Sequence, residues 1–342
     1  MQSLSRFGVE LERVNCILCG FQDEELLLTG VDRLLGREGS FSLVKCSKCG
    51  LVYLNPRPTK EMFQYYYPEG DYYSFVPRSK NKERGTAFLG KSLKELILHF
   101  NRGYPLRSNL PISFRFLARA IVTHGLYPYK DRFLRFPRYI ENGRLLDIGC
   151  GAGKFLDEIK PYGFETYGVD LDERATAYAR EQGHNVFCKP IEDANFDDNF
   201  FDVVRASHVV EHMPNPEQAL LEAYRVLKPG GLFLVLLPNI DSFLAKKYRS
   251  YWFQLDIPRH LYHFTPESIS KLLTKAGFNE IKITTHNSVS HIVLSRQYLK
   301  NEKVGRFRQP YNFKLWYLVL VPYAWLTGKL WGGDMMVVEA IK

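Results

Sequence analysis

Two adjacent titratable residues, Glu211 and His212, close an apolar run within SHVVEHMPNP, Ser207 to Pro216. Histidine titrates near neutral pH and can take a proton. A neighbouring carboxylate can orient it and stabilise its charged form. The following Asn215-Pro216 has the pattern of a helix cap and first helical residue, with Gln218 at the third. The pair could instead bond backbone groups of a loop, with no chemistry of its own. Proton transfer is the expected role, with His212 as base and Glu211 as its partner.

A second set of reactive side chains stands at the front. Cys16 and Cys19 form CILCG, Cys46 and Cys49 form CSKCG, and the spacer between the pairs is 26 residues. Two residues between thiolates let one tight turn present both sulfurs to one ion, and the glycines that follow ease that turn. Two such turns make a closed, four-cysteine structural Zn2+ site. Strand-like segments can fill the spacer. The first fifteen residues contain no apolar stretch of the kind that opens a secretory signal, so the cytoplasm is the expected location and disulfides are not expected. Cys150 and Cys188 are expected to pack in core or loop.

The elements behind these residues come next. In RLLDIGCGAGKFLDEI, Arg144 to Ile159, a buried strand carrying Leu145, Leu146 and Ile148 ends beside Asp147. It passes into a turn with Gly149, Cys150, Gly151 and Gly153, then a helical pattern. A strand, a glycine turn and a helix start make a ligand site at the carboxyl edge of a parallel sheet. Lys154 stands where a dinucleotide fingerprint wants its last glycine, which argues against a nicotinamide dehydrogenase. FETYGVDLDE gives a second strand ending in Asp170, placed to accept ribose hydroxyls. NFFDVVRASHVV, LFLVLLP, EIKITTH and MMVVEAIK read as further strands. PEQALLEAYRVL and TPESISKLLTKAGF read as helices, the latter with Thr265 as cap and Pro266 as first residue. The alternation predicts an α/β fold, a doubly wound, mostly parallel sheet.

LLDIGCGAGKF, GVDLDE, FFDVVRASHVVEHMPNP, RVLKPGGLFLVLLPN and PRHLYHFTPESISKLLTKAGF together resemble the Rossmann-like, S-adenosylmethionine-dependent methyltransferases. The resemblance covers about residues 140–342. CSKCGLVYLNPRPT resembles the zinc-ribbon leader of some bacterial relatives, including sugar C-methyltransferases. The resemblance implies a seven-stranded sheet with S-adenosyl-L-methionine bound near Asp147, Gly149, Cys150, Gly151 and Gly153. Asp170 would take the ribose and Leu171 would lie against the adenine. The adenine contact would come from backbone or from Ile191 and Glu192, because Lys189-Pro190 replaces a Gly-Asp pair of many relatives. Ser207 is counted on the cofactor side. In the sugar enzymes the Glu-His pair is the expected base. A metal-binding E-x-x-E-H stretch would have glutamate where this chain has His208, so proton transfer is favoured over a metal. A carboxylate with two imidazoles would suit an ion softer than magnesium.

Hydrophobic residues at 45% and charged residues at 24% fit a globular chain, and 342 residues allow a large domain with accessory modules. The expected division is a zinc ribbon over 1–55, a basic helical insert or lid over 56–140 and a methyltransferase domain over 141–342, with a helical insert at 288–333. Between Phe75 and Arg138, fourteen Lys or Arg face only Glu83, Glu95 and Asp131. That excess points to an anionic partner: a phosphate-bearing small molecule or glycan first, a peripheral membrane surface or nucleic acid as alternatives. FRFLARAIV and DRFLRFPRY place arginines among aromatics, and Leu315 to Leu326 reads as a buried or interfacial helix. Arg259, His260 and Tyr262 are the substrate-side candidates by placement. The expected function is methyl transfer to O or C of a nucleotide- or lipid-linked sugar. An rRNA or tRNA methyltransferase, or a noncatalytic zinc-ribbon adaptor, is the alternative.

Overall fold

The computed structural model describes residues 4–6, 9–67, 87–106, 119, 133–300 and 313–342. The helical pattern read over Phe114–Ile121, and Arg132 of DRFLRFPRY, therefore lie outside the described residues, Arg119 excepted. Before the glycine turn come β1 (Leu4–Arg6), β2 (Val9–Glu12), β3 (Glu24–Gly30), β4 (Phe41–Cys46), β5 (Val52–Leu54) and β6 (Arg57–Pro58). After it come β7 (Arg144–Ile148), β8 (Glu165–Asp170), β9 (Asn185–Cys188), β10 (Phe201–Ser207), β11 (Leu227–Pro238), β12 (Tyr262–His263), β13 (Asn279–His286) and β14 (Met335–Ile341).

The large sheet has seven strands in the order β13-β14-β11-β10-β7-β8-β9. β7, β8 and β9 pair in parallel, and β13 pairs antiparallel with β14 at one edge. Chain order runs outward in both directions from β7 and β10, the switch point where open α/β sheets hold ligands at their carboxyl ends. The apolar runs explain the strands: Leu145, Leu146, Val203, Val204 and Phe233 to Val235 are fully buried. Two boundaries differ from the sequence reading. β10 stops at Ser207 because His208 turns left-handed, with φ of 55°. The helix Pro216–Val226 ends before Leu227, which opens β11. Thr265 caps the helix Pro266–Lys275 reciprocally with Ser268, and that helix buries Ile269, Leu272 and Leu273.

Contacts gather the chain into two compact units, each built from segments far apart in the sequence. One joins residues 74–205, 225–234 and 342. Its core packs Leu98, Tyr104 and Phe136 with Phe155, Leu156, Ile159 and Val203. The other joins residues 1–73, 206–224 and 235–341. Within it a four-stranded sheet runs β12-β5-β4-β3, so the cysteine-bearing segment takes its edge strand from residues two hundred positions on. β3 and β4 fill the cysteine spacer, as expected. Of the helix Phe313–Trp331, Leu320, Val321 and Ala324 are buried and Leu326 is about half exposed. Among the described residues no helix is long and apolar enough to cross a membrane.

Arg259 locks this second unit. Its guanidinium is fully buried, with Asp32 Oδ1 and Oδ2 at 2.7 and 3.0 Å, Asp256 Oδ1 at 2.7 Å from Nη2, and the Tyr66 carbonyl at 3.4 Å. With Nε also donating to Asp256, all five N–H groups are used. Stripping one partner from a buried ion cluster costs about 3–5 kcal/mol, whereas an exposed pair such as Lys246–Asp241 contributes under about 1 kcal/mol. Chemical denaturation of Asp32→Ala against Asp241→Ala should show that separation. Equal, small losses would mean the cluster is not holding the unit.

Candidate functional site

The glycine turn takes its shape from left-handed backbone. Gly149, Gly151 and Gly153 have φ of 70°, 51° and 75°. A Cβ on Gly153 would sit 3.1 Å from Ala179 Cβ and 3.2 Å from His184, so that position needs glycine twice over. Gly149 and Cys150 both donate to the Val169 carbonyl, at 2.8 and 3.1 Å. Asp170 Oδ2 accepts from Gly151 N at 2.8 Å and Oδ1 from Asp172 N at 3.0 Å. Each oxygen keeps a further lone pair for a hydroxyl. Burial pushes both Asp170 and Asp147 upward from the ordinary carboxylate range. Leu171 is 75% exposed just beyond β8, an apolar surface that nothing in the core uses, while Ile191 is buried and Glu192 half-buried. These features fit a nucleoside with its ribose on Asp170. Ser207 belongs to the other unit.

The four cysteines come together. Sγ of Cys16 and Cys49 are 3.4 Å apart, those of Cys19 and Cys46 are 3.5 Å apart, and all four lie within 4.8 Å of one another. Sulfurs on a tetrahedral zinc with bonds of about 2.3 Å stand about 3.8 Å apart. The two turns match: Gly20 N donates to Cys16 O and Gly50 N to Cys46 O, with φ of 72° and 77°. Burial raises the Cys46 thiol, but the amides of Cys49 and Lys48 outweigh it and bring it to about 7. The donor set can hold zinc.

Glu211 and His212 sit on a single 3-10 turn, Val210–His212, that begins three residues past the end of β10. His212 Nδ1 is 3.1 Å from the Arg259 carbonyl and 2.8 Å from Tyr67 Oη. A carbonyl can only accept, so Nδ1 carries the ring proton and Nε2 keeps its lone pair. Burial lowers the histidine below its ordinary 6.5, so the ring stays neutral at pH 7. His260 joins the pair: its ring centroid is 4.5 Å from that of His212, and its Nδ1 donates to the Gln254 carbonyl at 2.8 Å. Leu261 N donates to Glu211 O, which holds the two segments side by side.

Two of the three substrate-side candidates lie elsewhere in role. Arg259, with every donor engaged and no exposed side-chain surface, is a strut rather than an anion grip. Tyr262 is buried, its hydroxyl donating to the Pro214 carbonyl at 3.0 Å and accepting from Arg57 at 2.9 Å. Arg135 of the basic insert is bound to Glu158, as is Lys94, so neither is a spare cation.

Comparison with known proteins decides the family. Residues 121–283 match a family described as a methyltransferase domain. An uncharacterised protein of Methanocaldococcus jannaschii is 32% identical over 156 residues, spanning 46% of this chain and 74% of that one. A ubiquinone biosynthesis O-methyltransferase of Cereibacter sphaeroides is 31% identical over 175 residues, spanning 47% and 70%. The chain belongs to the class I, Rossmann-like S-adenosylmethionine-dependent methyltransferases. Among solved structures, a methyltransferase of Thermotoga maritima described as a possible histamine N-methyltransferase matches at 24% identity and a TM-score of 0.43, covering 67% of this chain and 96% of that one.

Sequence reasoning missed two supports of this methyltransferase. Arg205 on β10 donates to Asp147 Oδ1 at 2.6 Å and lies 3.8 Å over the Phe155 ring, so the carboxylate at the loop's foot is charge-balanced from within. A lone arginine inside an apolar strand was the available signal. Buried Thr166 and His184 and half-buried Asp157 are linked at 2.8 and 3.1 Å, with His184 against Gly153 of the glycine turn.

Two outcomes follow. Asp170→Asn should weaken binding of S-adenosylmethionine roughly 10- to 100-fold by calorimetry, the loss of a charged hydrogen-bond acceptor. An unchanged Kd would remove the ribose assignment. Burial also depresses His212, His260 and His263, the last to about 4 against 6.5 unfolded. Between those values the unfolded chain binds more protons than the folded one, so this stability is complete above 6.5 and drains away as pH falls toward 4. Unfolding monitored from pH 7 to 4 should show the decline, and His263→Gln should make it shallower. A flat wild-type profile would contradict the neutral buried cluster.

Proposed function

We propose that this methyltransferase moves a methyl group to oxygen or carbon of a phosphate-bearing small molecule, most naturally a nucleotide- or lipid-linked sugar. Asp170, Leu171 and the amides of the turn would hold the cofactor, which supplies an electrophilic methyl group. Positioning of the reactants supplies much of such catalysis. The chain must add a group that takes the acceptor's proton. The observation that carries this reading is the fixed His212 ring: Nδ1–H held by the Arg259 carbonyl, Nε2 open, the ring neutral, Glu211 beside it. The relatives that methylate oxygen in ubiquinone biosynthesis support oxygen as one acceptor. The phosphate is inferred from the charge excess of residues 75–138. The Cys16, Cys19, Cys46 and Cys49 cluster is assigned to structural zinc.

Incubating the protein with methyl-labelled S-adenosylmethionine and an extract of the source cells, then separating nucleotide-sugar, lipid, RNA and protein fractions, tests this. Label should enter the sugar or lipid fraction, and His212→Ala should slow it by about 10²–10⁴-fold while cofactor binding persists. Label confined to RNA would replace the small-molecule reading with the nucleic-acid one. A His212→Ala enzyme as fast as wild type would remove the base.

A further inference from the structure

Glu211 is 1% exposed, and neither of its carboxylate oxygens has a hydrogen-bond partner. A carboxylate buried without a partner is costly, and folded proteins pair such a group or give it a metal. His208 Nδ1 lies 3.4 Å from Oε1, but its side chain is 40% exposed and the contact is an ion pair only when that ring is protonated. The other neighbours cannot donate. His212 and His260 each hold their one ring proton on Nδ1, toward the carbonyls of Arg259 and Gln254. One ligand atom from each of Glu211, His212 and His260 lies within 4.8 Å of the other two. A further buried carboxylate oxygen without a hydrogen-bond partner, Asp256 Oδ2, is 4.0 Å from His260 Nε2. Acceptors gathered this closely, with no donor among them, repel one another unless a cation stands between them.

We propose that Glu211, His212 and His260 bind a divalent metal ion, distinct from the four-cysteine site. The arrangement has what such sites require. Imidazoles bound through one nitrogen are oriented by a hydrogen bond from the other, here to two backbone carbonyls. Two imidazoles and one carboxylate suit zinc, iron(II), cobalt or manganese better than magnesium, and three protein ligands leave positions open for an acceptor. The third ligand is what the sequence conceals. His260 lies 48 residues beyond His212, and the Leu261 N to Glu211 O bond of 2.8 Å brings it alongside. The left-handed backbone of His208 ends β10 just ahead of this segment. The ion's use in catalysis rests on the methyl-transfer reading; its binding does not. With an ion bound, Nε2 of His212 would be one of its ligands, and the ion would supply the acidification of an acceptor hydroxyl that the free ring supplies without it.

The test is metal content of the full-length protein, reconstituted with zinc and dialysed. Wild type should retain about two zinc ions per chain, and Glu211→Gln and His260→Ala about one each. Cys46→Ser should lose the other ion. Cobalt(II) gives a second readout: thiolate-to-cobalt absorption from the cysteine site, and only weak d–d bands from the Glu-His-His site. Binding of S-adenosylmethionine by calorimetry shows that each variant is folded. Wild type holding a single zinc while binding the cofactor, or Glu211→Gln and His260→Ala both keeping two, overturns the second metal site and leaves the methyl-transfer reading intact. Two zincs without affinity for the cofactor would do the reverse.

Discussion

A single buried guanidinium sets the candidate acceptor side of this methyltransferase. Arg259 reaches Asp32, 227 residues earlier in the chain, and Asp256 on its own loop, and spends all five donors there. The same residue's carbonyl accepts from His212 Nδ1 and from Tyr67 Oη. Side chain and main chain thus do different work: the first ties the cysteine-bearing segment to the loop after β11, the second fixes which nitrogen of His212 is open. Lysine, with three donors on one flexible atom, could not make this fork. The position of the Glu-His pair is in that sense a consequence of the ion cluster beneath it.

The chain handles its buried carboxylates in contrasting ways. Asp147 is neutralised by Arg205, and Asp32 by Arg259, each at hydrogen-bond distance. Asp170 is held by two backbone amides and keeps capacity for more. Glu211 alone of these four has neither a guanidinium nor an amide on its oxygens. A fold that balances three carboxylates has not left the fourth bare for lack of means. The difference separates groups that support the structure from one whose partner arrives from outside the chain.

Much of this was legible in the sequence, and the reason is locality. The glycine turn, the acidic residue ending β8, the Thr265 cap and the cysteine pairs are each decided within a few residues, so spacing reveals them. What was not legible depends on register between distant segments. Nothing near PRHLYHF shows that Tyr262 and His263 will pair with Tyr53 and Val52, yet that pairing settles the fate of three residues. Arg259 turns inward as a strut, Tyr262 becomes a buried hydrogen-bonding core residue, and His260 reaches Glu211 and His212. Placement after the LFLVLLP strand, β11, marked all three alike; only pairing distinguishes them.

That same pairing gives the cysteine site a reach beyond its own turns. Cys46 ends β4, β4 pairs with β5 through Leu43–Leu54 and Val44–Tyr53, and β5 pairs with β12. β12 follows directly on Arg259, His260 and Leu261, and Leu54 N donates to Leu261 O. An ion on the four thiols would therefore fix two sheet registers, and through them the position of His260 against Glu211. A small strand pair is marginal by itself, and a metal closing its turns supplies the rigidity its core cannot. The cysteine-bearing segment is thereby not an appendage: it furnishes the sheet against which the candidate acceptor residues are laid, and a closed four-thiolate site would suit that task because it would fix geometry without an open position for substrate.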